Sequence, residues 1–427
     1  MNKINTVTID TIDQAAKNLE GVVKKTSLEF SKRLSQEFSA KVYIKREDQQ
    51  EVRSYKIRGA YNLMSSLTKR GSAAAKAMVD KEKRVVCASA GNHAQGVAYS
   101  ANALKVKATI FMPKTTPLQK VHRVEHFGDG WIEIKLIGHT FDESNTEAHK
   151  YCEKIQGIFI PPFDDYTVIS GQGTVGKEIF DELGEKIDVV FCPIGGGGLV
   201  SGVGTYLKTK IPSVKLIGVE PENTDSMAQA VKQGKVVTLE NIETFVDGAA
   251  VKTVGQKTFE IASKLIDDST TVSVGKVCTT MIELYQNEGI ISEPAGALSI
   301  AALNDYTAQL QGKTVVCILS GGNNDILRYP EIMEKSLVYL GLKHYFLIEF
   351  AQKPGQLKEF VNKALGPTDD IVRFEYIKKT EKEKGPALIG IELDKRGDLE
   401  PLLKRMDEIG LSYTRITSSD LLYSYLI

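Results

Sequence analysis

The chain has 427 residues, 42% of them hydrophobic, and its 54 basic and 54 acidic side chains balance. A chain of this length can bury a large core and is expected to form more than one domain. The balanced charge gives no support for nucleic acid or an anionic membrane as a partner.

The cysteines and the apolar segments bear on the compartment. Five cysteines occur, none of them in a C-x-x-C pair, and three lie in or beside predicted core strands. We therefore expect reduced, buried thiols, and we assign no metal ligand. No apolar run approaches the ~20 residues that span a bilayer, and the polar first ten residues lack the apolar stretch of a signal peptide. A cytoplasmic protein without a membrane partner is the expectation.

Predicted strands and helices alternate from about residue 40 to residue 330. This alternation is typical of a mostly parallel sheet with helices on both faces, so it predicts the α/β class. Open parallel sheets bind ligands beyond the carboxyl ends of their strands. The segments that follow predicted strands are therefore the places where a site is expected.

The first of these segments contains Lys56. Residues 41–47 predict a strand, and Ser54 is a candidate helix N-cap. Apolar residues then recur at helical spacing, namely Ile57, Ala60, Tyr61 and Met64. Lys56 is expected in the first helical turn, where the helix dipole and the charges of Arg53 and Arg58 favour the neutral amine. A neutral amine can form a Schiff base with a carbonyl, whereas the alternative is an ordinary solvated lysine.

Three further predicted strands end in glycine-rich turns, at residues 89–96, 195–199 and 320–323. A glycine turn that opens a helix lets backbone N–H groups approach an anion and directs the helix dipole at it. A single glycine-rich turn is common in loops and does not by itself indicate an anion-binding site. Three of them at strand ends in one α/β chain predict a shared crevice that binds an anionic ligand.

The pattern changes after residue 330 to the order β-α-β-β-α-β, which is that of a ferredoxin-like unit. The predicted elements are strands at 344–351, 370–378, 386–393 and 411–417, and helices at 354–365 and 399–406.

These segments, together with residues 292–297, resemble the pyridoxal-phosphate enzymes related to the tryptophan synthase β chain (fold type II), and among them the biosynthetic threonine dehydratases. The resemblance covers essentially the whole chain. It implies a two-lobed catalytic domain at residues 1–335, in which a small lobe at roughly 45–160 is inserted into a large lobe and pyridoxal 5'-phosphate lies between them. It also implies an ACT-like regulatory domain at residues 343–418.

The resemblance implies a role for each site residue. Lys56 would bind the cofactor as a Schiff base and move the Cα proton, and Ser320 would face the pyridine nitrogen. Asn92 would hydrogen-bond the phenolate oxygen of the ring. The cofactor phosphate would be bound by the backbone of Gly195, Gly196, Gly197, Gly198 and Leu199. The substrate carboxylate would be bound by Ser89, Gly91, Asn92 and His93.

Two of these assignments have a structural alternative. His93 would in that case be a helix-start histidine satisfied by backbone, and Ser320 would be only a helix N-cap. A hydroxyl at the ring nitrogen does not hold a proton there as an aspartate would, so it makes the ring a weaker electron sink. That weakness favours elimination of a β-substituent.

The implied activity is conversion of L-threonine to 2-oxobutanoate and ammonia, the first step of isoleucine biosynthesis. The ACT-like domain would bind a branched-chain amino acid, isoleucine or valine, and the protein is expected to be a homo-oligomer, either a dimer or a tetramer. A catabolic serine/threonine dehydratase would share the cofactor site, and the last domain could instead serve only in assembly.

A nicotinamide-dependent oxidoreductase is the alternative from another class. Glu220 ends the predicted strand that follows the 195–199 turn, about where a ribose-binding acid would fall. The glycine tetrad does not, however, match G-x-G-x-x-G, and Lys56 would have no role.

Overall fold

The computed structural model describes residues 6–68, 84–376, 383–417 and 420–426. The chain divides into two compact units. The first contains residues 1–277 and 284–324, and the second contains residues 278–283 and 325–427.

The larger sheet of the first unit has six strands in the order β1-β2-β10-β7-β8-β9. These strands are β1 (Leu28–Phe30), β2 (Lys41–Arg46), β7 (Val189–Pro193), β8 (Lys215–Pro221), β9 (Asp268–Val272) and β10 (Thr314–Leu319). All neighbours run parallel except β1, which pairs antiparallel with β2. The carboxyl ends of β2, β10 and β7 therefore lie side by side at one edge.

A smaller sheet in the same unit has the order β5-β4-β3-β6. Its strands are β3 (Val85–Ala88), β4 (Ala108–Met112), β5 (Ile132–Leu136) and β6 (Ile158–Phe159), and all of them are parallel. Every residue of β3 and β4 is buried, as expected of strands that helices cover on both faces. The mostly parallel α/β class predicted from the sequence is confirmed.

Helices cover both sheets. Among the described residues of the first unit the α-helices are Ile9–Leu19, Lys32–Glu37, Lys56–Thr68, Asn92–Leu104, Leu118–Gly128, Phe141–Lys154, Tyr166–Leu183, Gly198–Lys210, Ser226–Gln233, Gln256–Ala262, Pro294–Ala301 and Thr307–Leu310. Helix Val274–Glu288 passes through both units. Small residues allow the closest helix contacts: a Cβ on Gly202 would lie 2.5 Å from the backbone nitrogen of Gly173. This contact fixes helix Gly198–Lys210 against helix Tyr166–Leu183.

The second unit contains an antiparallel sheet in the order β12-β13-β11-β14. Its strands are β11 (Lys343–Ala351), β12 (Asp370–Tyr376), β13 (Lys384–Glu392) and β14 (Ser412–Ile416), and its helices are Tyr329–Leu340, Gln356–Lys363, Leu399–Glu408 and Tyr423–Leu426. The core joins the sheet to two helices through Phe346, Ile389, Phe360, Leu402 and Met406. The predicted ferredoxin-like order is confirmed, although residues 377 and 378 of the third predicted element lie outside the described residues.

The second unit also contains segments that the periodicity does not assign to it. Helix Tyr329–Leu340 belongs to this unit, as do residues 278–283, and the hydroxyls of Thr279 and Ser336 are 2.9 Å apart. The domain limits 1–335 and 343–418 stay predictions.

All five cysteines are buried and free. Burial raises the pKa of the Cys192 and Cys317 thiols well above their ordinary value. Within the described ranges, no helix is both long and apolar enough to span a membrane.

Candidate active site

Distant segments of the first unit meet around the start of helix Lys56–Thr68. The backbone N–H of Tyr55 donates to the carbonyl oxygen of Ser320 at 3.2 Å, and Ser54 forms an antiparallel bridge with Gly321. A Cβ on Gly96 would lie 3.2 Å from Cα of Ile57, so helix Asn92–Leu104 packs against the same turn. The segments after β2, β3 and β10 are thereby brought together, as the sequence predicted.

The amine of Lys56 lies in a partly buried, mainly apolar setting. Its Nζ donates to the carbonyl oxygen of Pro162 at 3.1 Å and lies 5.3 Å and 6.0 Å from the ring centroids of Tyr55 and Phe163. Burial lowers the pKa of Lys56 to about 8, although the charge of Glu293 favours the cation. An amine with this pKa is substantially neutral near pH 8, which is the form that attacks a carbonyl.

The physical cause of this shift differs from the predicted one. The guanidinium of Arg58 is buried in ion pairs with Glu47 and Glu178, and burial is the largest cause of the lowered pKa of Lys56. The predicted N-cap bond of Ser54 is also absent, since its Oγ is buried and has no hydrogen-bond partner among the described residues. The backbone bridge to Gly321 holds Ser54 instead. Burial therefore replaces like charge as the reason for the neutral amine.

The glycine tetrad follows β7 and leads into helix Gly198–Lys210. Gly197 is the N-cap residue, with φ of 89°, a conformation that L side chains rarely adopt. A Cβ on Gly196 would lie 2.2 Å from the ring of Phe163, and one on Gly195 would lie 3.1 Å from Cα of Ala249. The first-turn N–H groups of a helix have no partner within it. The tetrad thus forms a backbone cradle that can bind an anion but has no room for side chains.

The glycine-rich turn at residues 89–96 opens helix Asn92–Leu104, with Gly91 as N-cap. The backbone N–H of Gly91 donates to Oγ of Ser89 at 3.2 Å. A Cβ on Gly91 would meet no atom within 4 Å, so this helix start faces open space. The His93 ring turns away into the core, where Nε2 lies 2.9 Å from the carbonyl oxygen of Ile160. Burial lowers the pKa of His93 to about 3, so its ring is neutral and only its backbone N–H can serve an anion.

The amide of Asn92 connects this turn to two other segments. Its Nδ2 donates to Oε1 of Glu293 at 2.7 Å, and its Oδ1 accepts from Nδ2 of Asn323 at 2.7 Å. Burial raises the pKa of Glu293 to about 7, and the charge of Asp247 adds to the rise. Neither Glu293 nor Asn323 was assigned a role from the sequence. The only charged residue in segment 292–297 is Glu293, and this was the signal available for it.

Ser320 follows β10 and is 3% exposed, and its Oγ donates to the carbonyl oxygen of Ala295 at 3.2 Å. The prediction that the 320–323 turn opens a helix is wrong. The chain is extended there, because Gly321 pairs with Ser54, and the next helical residues begin at Ile326. Ser320 is therefore not a helix N-cap.

Glu220 does not provide a ribose-binding acid. Its carboxylate accepts backbone hydrogen bonds from Met227 and Ala228 at 2.8 and 2.9 Å, at the start of helix Ser226–Gln233. It is 1% exposed. The side chain is thus committed to the fold, which removes the main feature in favour of a nicotinamide site.

Comparison with known proteins agrees with this geometry. Residues 19–321 match the family described as pyridoxal-phosphate dependent enzyme, and residues 334–426 match the C-terminal regulatory domain of threonine dehydratase. The chain is 50% identical to L-threonine dehydratase biosynthetic from Halalkalibacterium halodurans, over 99% of both chains. The chain belongs to the biosynthetic threonine dehydratase family.

Solved structures of related enzymes share this fold. The processed form of threonine deaminase isoform 2 from Solanum lycopersicum is 38% identical, with a TM-score of 0.70 over 78% of this chain and 95% of that one. Maize serine racemase is 29% identical, with a TM-score of 0.69 over 78% of this chain and 99% of that one. Threonine dehydratases of this family are two-lobed fold type II enzymes that depend on pyridoxal phosphate, with a regulatory domain at the carboxyl end.

The site geometry fits the cofactor. The tetrad offers backbone N–H groups where no Cβ could be accommodated, and Lys56 offers an amine whose pKa burial has lowered. Asn92 retains one amide hydrogen without a partner among the described residues. The phosphate, the aldehyde carbonyl and the ring oxygen of pyridoxal phosphate therefore each have a matching protein group at this site.

Proposed function

We propose that this protein deaminates L-threonine to 2-oxobutanoate and ammonia, as the first step of isoleucine biosynthesis in the cytoplasm. The observation that carries the proposal is the partly buried Lys56 amine, 6.0 Å from the centroid of the Phe163 ring against which the glycine cradle packs. It occurs in a chain 50% identical to a biosynthetic threonine dehydratase over 99% of both chains. The family relationship identifies threonine as the proposed substrate, and the site contains groups suited to its deamination.

Each site residue has a proposed part in holding the cofactor and substrate. The backbone of Gly195, Gly196, Gly197, Gly198 and Leu199 would bind the phosphate. Asn92 would donate to the ring oxygen, and Ser320 would meet the ring nitrogen with a neutral hydroxyl. The start of helix Asn92–Leu104, with Ser89, Gly91 and the backbone of His93, would bind the substrate carboxylate at its open face.

The reaction then depends on proton transfer. When bound, pyridoxal phosphate draws electrons from the Cα atom of the amino acid attached to it and so makes the Cα proton acidic. Lys56 Nζ would take that proton, as a base whose pKa near 8 suits neutral conditions. The substrate would lose its β-hydroxyl together with one proton, as water, and hydrolysis of the resulting enamine would consume one water to give 2-oxobutanoate and ammonia.

Purified protein would test the proposal with L-threonine and L-serine as substrates and 2-oxoacid formation as the readout. We expect turnover of threonine, and we expect Lys56→Ala to abolish it because no other base is assigned at Cα. Lys150→Ala is the matched control, since Lys150 is an exposed surface lysine. Borohydride reduction and peptide mapping would identify the lysine that carries the cofactor. A phosphopyridoxyl adduct on any lysine other than Lys56 would reject the site.

We also propose that the ACT-like domain at residues 343–418 binds isoleucine or valine and regulates the enzyme. The match of residues 334–426 to a threonine dehydratase regulatory domain supports a small-molecule effector. An effector acts only through its different affinity for two conformations, and a typical coupling of about 1–3 kcal/mol corresponds to roughly 5- to 150-fold.

Assays with and without each amino acid, combined with hydrogen exchange on the full chain, would test this regulation. We expect isoleucine to inhibit and to protect amides of β11–β14 or their helices. Protection confined to the first unit would place the effector site elsewhere. A change in molecular mass without inhibition would favour an assembly role, and the same mass measurement would test the proposed dimer or tetramer. Activity unaffected by isoleucine would favour the catabolic serine/threonine dehydratase.

A further inference from the structure

Glu293 lies inside the candidate site but has no part in the reaction proposed above. Its side chain is 5% exposed, and its carboxylate accepts from Nδ2 of Asn92 and from the backbone of Asn323. A buried carboxylate is costly, and an apolar side chain of similar volume would be tolerated more easily. Its presence therefore calls for a role that depends on hydrogen bonding.

A line of hydrogen bonds fixes which way the amide of Asn92 faces. Nδ2 of Asn323 donates to the carbonyl oxygen of Val52 and to Oδ1 of Asn92, each at 2.7 Å. An amide nitrogen can only donate, so the Asn92 atom that faces Asn323 must be the oxygen. When its carboxyl is ionised, Glu293 can only accept, so the Asn92 atom that then faces it is the nitrogen. Both neighbours therefore select the same orientation.

We propose that Glu293 and Asn323 are positioning residues that set the orientation of the Asn92 amide. In this orientation one hydrogen of Nδ2 goes to Glu293, and the other is available to a bound ligand. In the reversed orientation the nitrogen and oxygen of Asn92 would exchange places, and no hydrogen would be offered at that point. This inference rests on the proposed function, in which Asn92 donates to the ring oxygen of the cofactor.

Two pairs of variants test the inference on the holoenzyme, with the rate of cofactor loss and the absorption spectrum of the bound cofactor as readouts. Asn92→Ala should speed cofactor loss roughly ten-fold and shift the spectrum, because it removes a hydrogen bond to an anionic oxygen. Glu293→Ala and Asn323→Ala should have the same effects, because both bonds are needed to hold the Asn92 amide and the loss of either lets it turn away from the cofactor. Combining Asn92→Ala with Glu293→Ala should cause no further loss, because both act through one group.

The second pair keeps the size of the side chains and so remains informative if an alanine variant fails to fold. Glu293→Gln should stay within about two-fold of the parent, because the glutamine amide oxygen can still accept from Nδ2 of Asn92 and so replaces the lost bond. Asn323→Asp should behave like the alanine variants, because a carboxylate cannot donate to Oδ1 of Asn92. Ser292→Ala is the control, since the buried Ser292 hydroxyl has no partner among the described residues.

The results distinguish a failure of the positioning role of Glu293 and Asn323 from a failure of the proposed contact between Asn92 and the cofactor. If Glu293→Gln is as damaging as Glu293→Ala, or Asn323→Asp is tolerated, the carboxylate acts through its charge and the positioning role is rejected. If Asn92→Ala itself leaves the rate of cofactor loss and the spectrum unchanged, the contact between Asn92 and the cofactor is wrong, whatever the other variants show.

Discussion

Arg58 donates two hydrogen bonds to the carboxylate of Glu47, at 2.7 and 2.8 Å, two residues after the proposed catalytic lysine. The same guanidinium donates to both carboxylate oxygens of Glu178, at 2.7 and 2.9 Å. Glu47 is fully buried, yet the charge of Arg58 holds the pKa of its carboxyl below the ordinary value. Arg58 thus ties the first turn of helix Lys56–Thr68 to the segment after β2 and to helix Tyr166–Leu183.

Replacing Arg58 should destabilise the protein strongly. Arg58→Met removes the guanidinium that pairs with the buried Glu47 carboxylate, while Lys45 still pairs with Glu178. Breaking a buried pair in this way costs about 3–5 kcal/mol. Urea unfolding at pH 7 would measure the loss. Arg84→Met is the control, because the Arg84–Glu133 pair is exposed and should contribute about 0–1 kcal/mol. Equal losses in the two variants would contradict the importance of the buried cluster.

Gly196→Ala should disrupt the glycine cradle. Its Cβ would lie 2.2 Å from the Phe163 ring, so either the ring or the turn must move. Overpacking of this kind costs about 1–3 kcal/mol, and the displaced backbone should also weaken cofactor binding. Thermal unfolding and cofactor titration would measure both effects. Gly397→Ala, where a Cβ meets nothing within 4 Å, should change neither. Unimpaired cofactor binding in Gly196→Ala would remove this residue from the cradle.

Glu293 should impose a pH dependence on the stability of the cofactor-free protein. Burial raises its pKa from 4.5 to about 7, so the folded protein holds a proton that the unfolded chain releases between these values. Its contribution to stability is therefore complete below pH 4.5 and is lost as the pH rises through 7, a difference of about 3 kcal/mol.

Comparison of Glu293→Gln with the parent would isolate that contribution. The free energy of unfolding of the variant should rise relative to the parent between pH 4.5 and 8, because glutamine has no proton to lose. Glu349→Gln is the exposed control and should show no such change. A parallel pH dependence for Glu293→Gln and the parent would show that this carboxyl titrates in its ordinary range.

Ser320→Asp should slow elimination. An aspartate at this position would favour a proton on the ring nitrogen and so strengthen the electron sink, which stabilises the deprotonated substrate instead of expelling the β-hydroxyl. Stopped-flow spectra with threonine should show a long-wavelength species accumulating as turnover falls. Ser320→Ala is the comparison variant, since it removes the bond to Ala295 without adding charge. Parent-like spectra and rate in Ser320→Asp would reject the electronic role.

Local patterns in the sequence predicted the elements, whereas contacts between distant segments had to come from the structure. The spacing of Ile57, Ala60, Tyr61 and Met64 predicted the helix after Lys56, and all four are buried. The Ser54 cap was wrong because Gly321, far along the chain, pairs with its backbone. The bond between Asn92 and Glu293 joins residues 201 positions apart. No local periodicity records such a contact, because folding alone brings those segments together.

The buried thiols provide a built-in reporter of how the protein opens. Cys278 lies in the second unit, whereas Cys192 and Cys317 lie in the core strands of the first. A thiol reagent reaches a buried cysteine only when its surroundings open. Mass-spectrometric labelling of the unaltered chain would therefore time the opening of each unit separately. Adding isoleucine to that experiment would show whether an effector bound to the second unit changes the labelling rate of Cys192 and Cys317 in the first.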